Sequence, residues 1–105
     1  MRPKPKIYGY LQVSDDANDT DICRIERDLR SFADTEGFCL ADIFYEYVPS
    51  SQAAFFELTH ELRRANARNV VVPSLEHLSA HPLIRDLMLT HLQHRVGAQV
   101  WTVEQ

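Results

Sequence analysis

The sequence predicts an α/β domain with a mostly parallel four-stranded sheet and the element order βαβαβαβ. Three observations carry that prediction. Four short runs rich in β-branched and aromatic residues recur along the chain, at Lys6–Ser14, Phe38–Val48, Asn69–Pro73 and Ala98–Val103. Each gap between them holds apolar residues three and four apart, the period of a helix with one packed face. The run Asn69-Val70-Val71-Val72-Pro73 is apolar almost throughout, as a parallel strand covered on both faces requires. Parallel strands joined through helices need right-handed crossovers that place helices on both faces, so the expected architecture has three layers.

The first strand gathers Ile7, Tyr8, Tyr10, Leu11 and Val13 into one buried run. Asp15, Asp16, Asn18, Asp19 and Asp21 stop it and supply caps for a helix beginning near Asp19 or Thr20, where their charge suits the positive end of the helix dipole. In that helix Ile22, Ile25, Leu29, Phe32 and Ala33 form the inward stripe, while Glu26–Arg30 and Arg24–Asp28 are i,i+4 pairs on the wet face. Gly37 is placed to end it. After the second strand, Pro49-Ser50-Ser51 breaks the chain before a helix that turns Phe55, Phe56, Leu58, Leu62 and Ala65 inward and runs to about Arg68. A third helix packs Leu83, Ile84, Leu87, Met88 and Leu92 and stops near Gly97.

At 105 residues the chain has room for one domain of ordinary size. A hydrophobic fraction of 45% with 25% charged residues matches a globular protein and excludes disordered and fibrous classes. No apolar run approaches the roughly 20 residues of a membrane span. The start Met1–Lys6 leads into a strand-like segment in place of a signal sequence's apolar core, so a cytoplasmic protein without a membrane partner is expected. Fifteen acidic against eleven basic residues argue against a domain that grips phosphate backbones by bulk electrostatics. Cys23 and Cys39 are too few for a disulfide framework or a structural zinc site and are expected to be buried thiols.

Several chemistries are absent as motifs. There is no GxGxxG and no GxxxxGK[ST], and Gly9 lies inside the first strand where it cannot shape a phosphate loop. Asp16-x-Asn18-x-Thr20 lacks the later glycine and glutamate of a calcium loop. No G-x-S-x-G elbow presents a hydrolase serine. A phosphorylation receiver would need an aspartate ending the third strand and a later lysine, whereas that strand ends in Pro73-Ser74 and no lysine follows Lys6. His91 and His94 share a helix without a third ligand at local spacing, and His60 stands alone, so neither a metal nor a cofactor is expected. In open parallel sheets ligands bind beyond the carboxyl ends of strands, which directs attention to Ser14–Asp16, Glu46–Gln52, Pro73–His81 and Thr102 onward.

Within those segments, Tyr8-Gly9-Tyr10-Leu11-Gln12-Val13-Ser14-Asp15-Asp16 resembles the opening of the serine recombinase (resolvase/invertase) catalytic domain, where a Y-x-R-V-S-type strand delivers a nucleophilic serine. Ser51-Gln52-Ala53-Ala54-Phe55-Phe56 stands where that family has Arg-Pro before apolar helix residues, and Val70–Ala80 resembles its strand and turn ending R-L-D-R-L-G-R. The similarity spans about Ile7 to Val103. It implies a three-layer resolvase-like (flavodoxin-like) fold, and a chemistry in which serine attacks a DNA phosphodiester to form a 5′-phosphoserine link while several arginines hold the phosphate.

By that resemblance Ser14 occupies the nucleophile position, but its helpers differ. The arginine two residues earlier is Gln12, the one entering the second helix is Gln52 or Ser51, two in the later turn are His77 and Ala80, and the aspartate is Glu76. Removing one fixed positive donor from such a transition state costs ~10² to 10³ in rate, so losing several implies a catalytically degenerate site. The family also continues into a long dimerisation helix and usually a helix-turn-helix DNA-binding domain. The chain read here ends at Gln105, so residues 1–105 are expected to form a single stand-alone domain lacking both.

The expected function is therefore a non-enzymatic interaction or regulatory role, through self-association or a protein partner, with only weak DNA binding. Trp101, Tyr45, Tyr47 and the adjacent Phe55-Phe56 are the candidate surface aromatics, because neighbouring aromatics on a helix cannot both face one core. The alternative is a phosphodiester-handling or strand-exchange protein in which Ser14, Glu76 and His77 form a rebuilt site. Its positive charge would come from a protonated His77 or from Arg68, Arg85 or Arg95.

Overall fold

The first apolar run becomes β1 (Lys6–Gln12), an interior strand of the sheet. In the computed structural model, which describes residues 3–48 and 51–104, it is followed by α1 (Asp19–Glu36), β2 (Cys39–Glu46), α2 (Ala53–Arg64) and β3 (Asn69–Val72). A single 3-10 turn (Leu75–His77) leads to α3 (Pro82–Thr90), which runs on as a wider π-type turn (His91–Val96) into β4 (Gln99–Thr102). The Pro49-Ser50 break lies outside the described residues. Strand order is β2-β1-β3-β4, and every pairing is parallel.

Alternation along β1 sends Tyr8 and Tyr10 to one face and Ile7 and Leu11 to the other, and β3 divides its valines the same way. Phe55, Leu58 and Leu62 of α2, Met88 of α3 and Leu92 of the π turn cover the first face. Leu29 and Ala33 of α1 cover the second, which completes the three layers. Gly9 permits this packing: a Cβ there would stand 3.1 Å from Leu29 Cδ1 and 3.2 Å from Ile43 Cγ1, so α1 settles closely onto β1 because no side chain intervenes. Asn18 caps α1, its side-chain oxygen accepting the Asp21 N–H at 2.9 Å, and Gly37 ends it at φ 82°.

The start of α2 is held differently. Gln52 has a left-handed φ of 52° and makes no side-chain cap. The amides of Ala54 and Phe55 donate instead to the two carboxyl oxygens of Glu46, at 3.2 and 3.3 Å, from the end of β2. The Tyr10 hydroxyl donates to the same carboxyl at 3.3 Å, and Glu46 is only 2% exposed. Burial first, and then the neighbouring Glu46, push the Tyr10 phenol well above its usual pKa, so it remains a donor.

Several expectations are corrected. α2 stops at Arg64 instead of Arg68, because Asn66 adopts φ 52° and Ala67 donates its amide back to the Leu62 carbonyl, closing the helix early. Phe56, Leu83 and Leu87 are solvent-facing where an inward stripe was expected. The packed residues are Phe55, Met88 and Leu92, and the others point away from the sheet around each helix. Cys23 and Cys39 are exposed, the first beside the inward stripe of α1 and the second at the start of an edge strand. The expected i,i+4 pairs give way to others: Arg24 pairs with Asp21 at 3.5 Å, and Glu26 accepts the Tyr45 hydroxyl. Tyr45 faces α1, where burial and then this bond push its phenol up to about 12. Trp101 is half-buried against Phe32 and Phe38 with its N–H on Asn69, so only Tyr47 and Phe56 of the candidate aromatics are exposed.

Removing the Glu46 carboxyl strands a buried hydroxyl and two helix amides. Glu46→Ala is expected to lower unfolding free energy by about 2–4 kcal/mol in urea titration, and Glu46→Gln by less, because an amide oxygen still accepts.

Candidate functional site

Strand order reverses beside β1: β2 lies on one side of it, β3 and β4 on the other. At that reversal the connections leave in opposite directions and open a crevice beyond the carboxyl ends of β1 and β3. A hollow of about 340 Å³ occupies this position, lined by Gln12, Val13 and Ser14 on one side and Ser74, Glu76, His77 and Ala80 on the other. Five of the sequence-predicted positions therefore line one cavity. The sixth, Gln52, lies on the adjoining hollow of about 490 Å³, which it shares with Gln12 and Ala80. A further hollow of about 240 Å³ on the α1 side of Ser14 is bordered by Asp16 and Asp21.

The turn after β3 is tied to β1 by two hydrogen bonds. The Gln12 side-chain amide donates to the Leu78 carbonyl at 2.9 Å, and the Gln12 backbone N–H donates to His77 Nδ1 at 3.2 Å. The second bond has an electrostatic consequence. A backbone N–H can only donate, so His77 Nδ1 must carry a lone pair, and the ring proton sits on Nε2. Burial lowers the His77 pKa, with Glu104 and Glu76 opposing the shift, so the imidazole is neutral near pH 7.

Ser14 itself is exposed, and among the described residues no base hydrogen-bonds its hydroxyl. No arginine or lysine among them lines either hollow that borders Ser14. Arg68 and Arg95 are exposed and Arg85 is half-buried on α3, all outside those walls. Of the other histidines, His81 is exposed and lines the adjoining hollow, His91 lies against the Phe55 ring at 6.1 Å, and His60 and His94 face solvent. The geometry can therefore hold a small polar or cationic group, and it offers no fixed positive charge to an anion.

Glu46 is the residue that motif reading missed. A signal for it exists, since an acidic residue closing a strand just before a helix that lacks a Ser, Thr, Asp or Asn immediately ahead of its first turn is a candidate remote cap.

Among solved structures the chain is similar to the C-terminal catalytic domain of ISC1926 TnpA, an IS607-like serine recombinase. The TM-score is 0.77 at 14% identity, over 93% of this chain and 68% of that one. It is also similar to the N-terminal catalytic domain of TP901-1 integrase, with TM-score 0.75 at 16% identity, over 93% and 76% of the two chains. No family model and no curated protein matches the sequence. The α/β fold, with its all-parallel four-stranded sheet, is thus that of serine recombinase catalytic domains, as the first-strand motif implied.

The lowered His77 pKa gives the site a pH signature. The unfolded chain takes up this proton near the usual 6.5 and the folded chain only at lower pH, so stability is present above about 6.5 and lost as pH falls toward the folded value. In thermal melts between pH 8 and 5, His77→Asn is expected to lose part of the acid-side decline seen in the unaltered protein.

Proposed function

We propose that the protein is a catalytically degenerate member of this fold that works by binding, as a cytoplasmic interaction or regulatory domain spanning residues 1–105. One observation carries the reading: the hollow beside Ser14 has no cationic lining among the described residues, and burial disfavours a charge on its one imidazole, whose Nδ1 accepts the Gln12 amide. A phosphodiester entering it would meet Glu76, with Asp16 and Asp21 on the neighbouring hollow, and among the described residues no guanidinium lines either to offset its charge. Phosphoryl transfer depends almost wholly on positioning and positive charge, so Gln12, Gln52, His77 and Ala80 leave Ser14 as a polar strand-end hydroxyl. Exposed Phe56, Leu83 and Leu87 support association with another protein surface. Among the described residues no helix is long and apolar enough to cross a membrane.

The rival reading, phosphodiester chemistry with Ser14 as nucleophile and Glu76 and His77 as helpers, draws on the exposure of Ser14 in a shared hollow with both. Incubation with supercoiled and nicked duplex DNA, followed by a denaturing gel, separates the two. The expected result is weak retention at low salt that disappears at moderate salt, with no covalent species. A covalent adduct abolished by Ser14→Ala would overturn the binding role in favour of the rival.

A further inference from the structure

The Ser14 hollow continues into a longer feature. It shares Gln12 and Ala80 with the adjoining hollow, and that one shares Gln52 and Ile84 with a third, of about 280 Å³, between α2 and α3. The three form one trough running from the strand ends across the outer face of the two helices.

The two ends of the trough differ in chemistry. At the far end Phe56 is 61% and Leu87 70% exposed, and Leu83, one turn before Leu87, is also 70% exposed. Ile84, Leu87, Met88 and His91 fall at i, i+3, i+4 and i+7, a seam along the α3 axis that faces Phe55 and Phe56 of α2. A valley walled by two helices is the shape a third helix fills, ridge into groove, with its own anchors at the same spacing. The exposed parts of Phe56, Ile84 and Leu87, which line this valley, offer roughly 300 Å² of apolar surface, the size of patch that marks a contact site on a small protein. At the near end Glu76 lines the Ser14 hollow, and Asp16 and Asp21 line the neighbouring hollow that shares Gln12, Ser14 and His77 with it. No lysine or arginine among the described residues lines any of the three hollows.

We infer that this trough seats an amphipathic helix of another protein, with apolar side chains in the Phe56 and Leu87 valley and a cationic end in the acidic hollow beside Ser14. The inference rests on the binding role proposed above and names its partner's chemistry. An occupant with a negative end would meet uncompensated repulsion, and one without an apolar stripe would leave Phe56 and Leu87 in water.

The test uses the whole purified chain and three labelled synthetic peptides of about 18 residues, long enough for a stable helix. One carries leucines at i, i+3, i+4 and i+7 with two arginines at its C-terminus, where the helix dipole also favours them. The second has glutamates in place of the arginines, and the third has the first peptide's composition with the leucines scattered around the helix. By fluorescence anisotropy the arginine peptide is expected to bind at least tenfold more tightly than either of the others. Leu87→Asp and Phe56→Ser, both at exposed positions, are each expected to weaken it about tenfold with unchanged circular dichroism, and Glu76→Gln about threefold.

Absence of binding, equal affinity for the three peptides, or binding that survives Leu87→Asp would overturn the inference. So would sedimentation of the protein alone as a dimer that Leu87→Asp splits, since a second copy would then be the occupant. A Ser14-dependent DNA adduct would remove the underlying binding role, whereas failed peptide binding without an adduct removes only the trough's assignment.

Discussion

A carboxyl group buried at the end of β2 holds the working end of this molecule together. Glu46 accepts from the Tyr10 hydroxyl and from two first-turn amides of α2, so one side chain joins the central strand, the edge strand and a helix. An uncompensated polar group in that apolar setting would cost several kcal/mol, which makes the three bonds mutually required. Gln52 ahead of the helix makes no side-chain cap and the Ser51 hydroxyl accepts only the Ala53 amide, so the next two amides of α2 depend on Glu46. That entry sets Phe55 inward and Phe56 outward. The Glu46 carbonyl also accepts the Val13 amide at 2.9 Å, carrying the β1–β2 ladder up to the residue before Ser14.

The same end of the sheet joins a defined geometry to an acidic surround. Two hydrogen bonds from Gln12 position the turn after β3, so the crevice at the strand reversal stays well defined. Among the described residues, Glu76 is the one acidic side chain in its lining, beside Val13 and Ala80 and a ring of neutral polar groups. The helix N-terminus nearest β2, an ordinary place for a bound anion, has its amides committed to a side chain of the protein itself.

Most of the architecture is legible from periodicity. The four strands, the three helices, the Asn18 region as a start and Gly37 as a stop all follow from local pattern, because the physics that sets them acts over a few residues. What local pattern does not carry is direction around a helix and choice of partner. Leu83 and Leu87 sit on a strongly apolar helix, yet only the path of that helix across the sheet decides that Met88 packs and they do not. Arg24 and Glu26 had partners four residues away, but Asp21 lay closer to one, and Tyr45 on a facing strand offered the other a half-buried donor. Glu46 became a hub through contacts from residues distant in sequence. For the candidate site, five positions from the first-strand motif and the turn after β3 line one cavity, while the burial that lowers the His77 pKa and the backbone bond to its Nδ1 come from tertiary packing that spacing cannot reveal.

Because β1 is both the first strand made and an interior strand of the finished sheet, chain synthesis supplies the platform before anything that needs it. Each later strand joins an outer edge after its helix has emerged, and none has to be threaded between strands already paired. Until β2 and β3 arrive, however, Ile7, Tyr8, Tyr10 and Leu11 belong to a nascent segment with no partner on either side. The interval between its emergence and the arrival of β3 is when this protein most resembles an unprotected, aggregation-prone strand.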